Sequence, residues 1–136
     1  MPHSLEFQER HHYGDVSSGI PIPVVLRAGR QEVEWTAKLD TGAQYCVFER
    51  ECGEQLGLTI EYGQPQRIEG PMGQGFDTFG HGVTLEVLGF PVLSTVYFAR
   101  DSAFRRSVLG RAGWLDKFRV ALIDYDRLLY LSAYDE

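Results

Sequence analysis

The chain predicts a mainly β domain with one or two short helices, and three observations lead there. Chain-breaking residues recur at short intervals, most of the segments between them are strand-like, and 15 glycines and 6 prolines are spread along the chain rather than gathered into one tract. With 136 residues there is room for one core and no second lobe, because domains commonly run to roughly 100–150 residues.

The first 19 residues, with His3, Glu6, Glu9, Arg10, His11, His12 and Asp15, read as a polar, flexible lead-in that ends at Ser17-Ser18-Gly19. The folded domain is expected over residues 20–136. Ile22-Pro23-Val24-Val25-Leu26 predicts a strand with proline near its start. Ala28-Gly29-Arg30 supplies a turn, and Val33 to Asp40 returns as the second arm of a hairpin. Gln44 to Phe48 continues extended with little alternation, as a strand buried on both faces would. A short helix is predicted over Glu49 to Leu56, with Gly57 at its C-cap and Gly53 as an internal weak point.

Gln66 to Phe79 reads as a long hairpin with a mobile tip. Its centre, Gly70-Pro71-Met72-Gly73-Gln74-Gly75, lies between the β-formers Ile68 and Phe76. Val83 to Leu88 alternates as a half-buried strand, Gly89-Phe90-Pro91 is the expected turn, and Val92 to Ala99 is a further β run. Ser107-Val108-Leu109-Gly110 is a short apolar strand leading to a helical turn over Arg111 to Lys117. Val120 to Ile123 and Leu128 to Leu131, joined through Asp124-Tyr125-Asp126, form a terminal hairpin.

Charge and composition narrow the function. A formal net charge of -6 argues against nucleic-acid binding, which needs concentrated Lys and Arg to displace counterions. The cluster Arg100, Arg105 and Arg106 has Asp101 within it and reads as a solvated loop. The start of the chain has no apolar stretch like a signal peptide, and no stretch reads as membrane-spanning, so a cytoplasmic protein is expected. Cys46 and Cys52 are too few for a disulfide framework and read as small buried hydrophobes. His3, His11 and His12 with Glu6 or Glu9 make a poor metal set, because adjacent histidines do not readily face one ion, and no metal is expected. His81 reads as a surface or strand residue.

The chemistry centres on Asp40-Thr41-Gly42-Ala43, which follows an apolar strand and places a carboxylate where that strand meets a tight turn. An isolated triplet of this kind is usually a turn or a cap. Here it is followed within about thirty residues by the glycine-tipped hairpin and then by the apolar strand ending at Gly110. The triplet occurs once, since Asp77-Thr78-Phe79 and Asp101-Ser102-Ala103 lack the glycine. Chemistry that needs two such carboxylates must therefore take the second from another chain.

With those residues in view, the chain resembles the retropepsins, the retroviral-type aspartic proteases, in the form of single-domain cellular or bacterial homologues. The matching stretches are Leu39 to Ala43, Ile68 to Phe76, and Val108-Leu109-Gly110-Arg111 with its following helix, so the resemblance runs from about Ile20 to Ala133. It implies a closed β-barrel of the acid-protease half-domain type and a homodimer in which Asp40 of each copy meets at the two-fold axis. It also implies a flap formed by Met72, Gly73 and Gln74, and support for the catalytic loop from Thr41, Gly42, Ala43, Gly110 and Arg111. Thr41 would bond the opposite subunit, and Gln44 stands where viral members often carry an acid paired with the arginine matching Arg111, so that bond would here be neutral-to-charged or absent. Pro71 would stiffen the tip.

The expected activity is peptide-bond hydrolysis by an aspartic endopeptidase acting on a peptide or protein substrate, without a cofactor. Val47, Ile68, Met72 and Val108 are candidate pocket walls. Ala43 leaves no hydroxyl to donate to the carboxylate, which predicts activity at mildly acidic to near-neutral pH. Two other readings fit the same scaffold: a non-catalytic peptide- or protein-binding module with Asp40 unpaired, and a structural or regulatory interaction protein.

Overall fold

The computed structural model describes residues 1–15, 18–70 and 72–134. In chain order the strands are β1 (Glu9–His12), β2 (Pro21–Ala28), β3 (Gln31–Leu39), β4 (Val47–Phe48), β5 (Gln64–Glu69), β6 (Gly75–Val87), β7 (Phe90–Ala99), β8 (Val108–Leu109), β9 (Phe118–Ile123) and β10 (Leu128–Ala133). One α-helix, α1 (Arg50–Gln55), follows β4, and short 3-10 turns occupy Ile60–Tyr62, Leu115–Lys117 and Asp124–Asp126. The expected mainly β architecture is the one observed.

The larger sheet runs β2-β3-β8-β4-β7-β6-β5, and an additional β2–β6 pairing closes it into a ring from which β5 projects. Closure follows from the length of β6. Its 13 residues form one continuous strand that pairs with β5 at its start and with β2 at its end, while β7 runs along Thr78–Val87. Alternating side chains fill the ring: Ile22, Val24 and Leu26 from β2, Val83, Leu85 and Val87 from β6, and Val96 and Phe98 from β7 are all buried.

The β6–β7 turn sits one residue earlier than Gly89-Phe90-Pro91. Leu88 and Gly89 both adopt positive φ (52° and 86°), and Val87 pairs with Phe90. Such a two-residue turn matches the twist of its flanking strands, so Phe90 and Pro91 belong to β7.

Other elements are shorter than expected. The buried strand after the Asp40 loop is only Val47–Phe48, because Tyr45 instead bridges in parallel to Ala112. The turn after Arg111 is helical only over Leu115–Lys117, interrupted before it by Gly113 at φ 112°. Gly53, a weak point by propensity, has a packing reason. A Cβ there would stand 2.5 Å from Ile60 Cδ1 and 2.9 Å from Phe98 Cδ1, so glycine lets α1 lie directly on the ring.

A second sheet, β1-β10-β9, joins the two ends of the chain. Part of the polar lead-in thus belongs to the fold: β1 pairs antiparallel with β10, Glu9 opposite Leu131 through His12 opposite Leu128. Tyr13 is buried in the core, donates its hydroxyl to the Asp124 carboxylate, and donates its N–H to the Arg127 carbonyl at 3.0 Å. Burial and the Asp124 contact push its phenol up to about 12. The expected turn at Ser17 and the last two residues, Asp135 and Glu136, lie outside the described residues.

Candidate active site

Asp40 stands at the C-terminal end of β3, where the ring is held by parallel pairing. Lys38 and Leu39 register with Val108 and Leu109 of β8, and the Asp40 N–H donates to the Leu109 carbonyl at 3.0 Å. The chain then turns tightly, the Ala43 N–H donating to the Asp40 carbonyl at 3.1 Å. Within that turn the Gly42 N–H donates to Asp40 Oδ1 at 2.9 Å, which fixes the side chain outward. Asp40 keeps 32% of its side-chain surface open, Thr41 and Gly42 are exposed, and Ala43 is half-buried.

The support beneath this loop comes from the other end of the sequence. The Arg111 N–H donates to the Ala43 carbonyl at 2.9 Å and the Ala112 N–H to the Gln44 carbonyl at 2.7 Å. Gly110 passes so close that a Cβ would collide with the Tyr45 carbonyl and stand 2.9 Å from the Ala43 oxygen. Its N–H points at Cys46 Sγ, 3.4 Å away, and burial pushes that thiol up to about 11. Backbone bonds therefore link position 111 to 43 and position 112 to 44, not Gln44 to Arg111. The Arg111 side chain is exposed and makes no hydrogen bond among the described residues.

The hairpin of β5 and β6 is paired from Gln64–Gly80 to Glu69–Gly75. Its tip is closed by Gly70 N–H to Gln74 carbonyl (2.6 Å) and Gly73 N–H to Gly70 carbonyl (3.0 Å), with Gly73 at φ 82°. Met72, Gly73 and Gln74 are all exposed, and Pro71 lies outside the described residues. The base is tied more firmly. Asp77 takes Arg67 on one oxygen (2.9 Å) and Arg100 on the other (3.2 Å), while Phe76 stacks on Phe104 at 4.7 Å.

Among the candidate pocket walls, Val47 and Val108 pair across β4 and β8 and are buried as core. Ile68 is half-buried on the hairpin, and Met72 is at the open tip. His81 Nε2 lies 2.9 Å from the Ile60 carbonyl, a structural contact. Among the described residues, no group of three or more His, Cys, Asp or Glu is placed to hold a metal, and no helix is long and apolar enough to cross a membrane.

Sequence reasoning did not place one neighbour of the carboxylate. Arg106 Nη2 lies 3.2 Å from Asp40 Oδ2, so the ion pair closes over 66 residues of chain. Arg100 and Arg106, expected to be solvated, are both bonded to carboxylates. A surface groove of about 670 Å³ lies elsewhere, between Arg27, Leu93 and Lys117. It contains neither Asp40 nor the hairpin tip.

The sequence matches no protein-family model, and no curated protein matches it. Among solved structures, the chain is similar to the EIAV protease complexed with the inhibitor HBY-793, with a TM-score of 0.55 and 21% identity. The match covers 72% of this chain and 86% of that one. The fold is retropepsin-like. In the retropepsin-like frame, the ring of strands, the Asp40 turn, the projecting hairpin and the Gly110 crossing form one continuous half-domain.

Proposed function

We propose that the chain is an aspartic endopeptidase whose Asp40 is completed by Asp40 of a second copy. The observation that carries this reading is the presentation of one carboxylate, aimed outward by the Gly42 N–H in an exposed turn of a retropepsin-like half-domain. On this reading a lone chain offers half a cleft.

Two carboxyl groups about 3 Å apart do not both ionise readily and hold one proton between them. The ionised member takes a proton from water as it attacks the peptide carbonyl, and the protonated member donates to the developing oxyanion. The pair titrates as a unit. Peptide would lie extended beneath the hairpin, with Met72, Gly73 and Gln74 covering it and excluding water. Thr41 and Gly42, exposed in one chain, become the contact between copies. Ala43 offers no hydroxyl, so activity is expected at mildly acidic to near-neutral pH.

The test pairs solution mass with peptide cleavage by the native chain and by Asp40→Asn. A dimer whose cleavage falls by about 10³-fold in the variant, with second-order dependence on protein at low concentration, supports the protease. A persistent monomer that binds peptide without cutting it supports the binding module instead.

A further inference from the structure

Arg106 is held beside Asp40 by anchors on both sides of its loop. On the far side, Phe104 is stacked on Phe76 and its N–H donates to the Asp101 carbonyl at 3.1 Å, while Arg100 is fastened to Asp77. On the near side, Ser107 Oγ accepts the Trp35 indole N–H and the Glu49 N–H, both at 3.1 Å, and its carbonyl accepts the Lys38 N–H at 2.9 Å. The backbone at Arg106 is thus fixed next to the carboxylate. Among the described residues only Nη2 of its guanidinium is engaged, and 58% of the side chain remains open. A guanidinium carries five donors in a fixed fork suited to carboxylate, so most of its capacity is free.

The charge balance gives this a direction. Resting on the dimeric protease reading, two Asp40 groups sharing one proton carry a single negative charge, while two copies of Arg106 bring two positive charges. One cation is left without a partner inside the cleft. Arg105, next in the chain and exposed, adds to it and forms no ion pair among the described residues. Arg67 and Arg100 share the single carboxylate of Asp77 at the base of the hairpin, so each already has a carboxylate partner, with one positive charge left over between them.

We infer that Arg106 is a specificity-determining residue, selecting peptides with a glutamate or aspartate side chain close to the scissile bond. Asp40 of one copy keeps its arginine, and the substrate carboxylate takes the other copy's guanidinium. Such a half-exposed charged contact corresponds to a preference of about tenfold.

Matched fluorogenic peptides carrying Glu, Gln or Lys at single positions within two residues of the scissile bond test this. The native chain is expected to show kcat/KM about tenfold higher for Glu than for Gln at one of those positions. Arg106→Gln should bring that ratio to about one, and Arg106→Glu should turn the preference toward Lys. Equal rates for Glu and Gln in the native chain, or a preference that survives Arg106→Gln, would overturn the inference while leaving the protease intact. So would a uniform rise in all rates in Arg106→Gln, which would make the ion pair a simple block on Asp40.

Binding of the same peptides, followed by fluorescence anisotropy on the native chain and Arg106→Gln, separates the two claims. If nothing is cleaved, a Glu-over-Gln binding preference lost in the variant upholds the arginine and removes the protease. No preference in binding either removes both.

Discussion

The Asp40 loop and the Met72 tip are both turns exposed to solvent, yet they are held in opposite ways. The Asp40 loop rests on backbone bonds to Leu109, Arg111 and Ala112, from the far end of the chain, and on a glycine with no space around it. Among the described residues the Met72 tip is closed by bonds within itself, and Gly73 has nothing within 4 Å of where a Cβ would stand. The difference teaches that the same residue type serves two physical needs: Gly110 is a matter of volume, Gly73 a matter of backbone angle.

The strongest way to break this contrast is Gly110→Ala, which should destabilise the protein by about 3 kcal/mol or more in urea or thermal unfolding, since carbonyl groups rather than flexible side chains block the methyl. A loss below about 1 kcal/mol would mean the loop support yields as easily as the tip. Next in size is Tyr13→Phe, which removes the bond to Asp124 in the terminal sheet and should cost about 1 kcal/mol. It also has a pH signature. The Tyr13 phenol is raised from 10.0 to about 12, so its contribution is present below about 10 and lost as pH rises through about 12. Stability measured across that window should fall less steeply in Tyr13→Phe than in the native chain.

Gly73→Ala should cost only about 1 kcal/mol, entirely from the positive φ, with no cavity or clash. A much larger loss would show the tip to be packed against something. The gentlest probe leaves the sequence alone. Dilute peroxide should convert Met72, 86% exposed, to its sulfoxide while Cys46 stays reduced until unfolding, because burial raises that thiol to about 11. Peptide mass mapping reads both sites at once.

What was legible in the sequence was what neighbouring residues decide. The β2–β3 hairpin, the short helix after Phe48, the glycine-tipped hairpin and the terminal hairpin follow from alternation and turn residues, and all appear. What was hidden depends on distant partners. Glu9–His12 is polar and has no strand signal of its own, and it becomes a strand because β10 offers an edge. Tyr45 leaves the β4 run to reach Ala112, and β6 remains one strand because β2, β5 and β7 line it in succession. Leu88 turns at positive φ, an unusual angle for a branched side chain, because Gly89 and the strand twist make a two-residue turn favourable. At the candidate site Asp40 and its turn could be read locally. Arg106 could not, since only the crossing of β3 with β8 brings residues 40 and 106 together.

That crossing has a consequence for how the protein is made. A ribosome releases Asp40 long before it releases Leu109, Gly110 and Ala112, and β1 likewise waits for β10. While residues 41–108 are being made the emerging polypeptide therefore carries an acid with nothing beneath it, and the cradle forms only once residues 109–112 have followed. Because β10 is the middle strand of the second sheet, its loss would leave β1 and β9 unpaired at once.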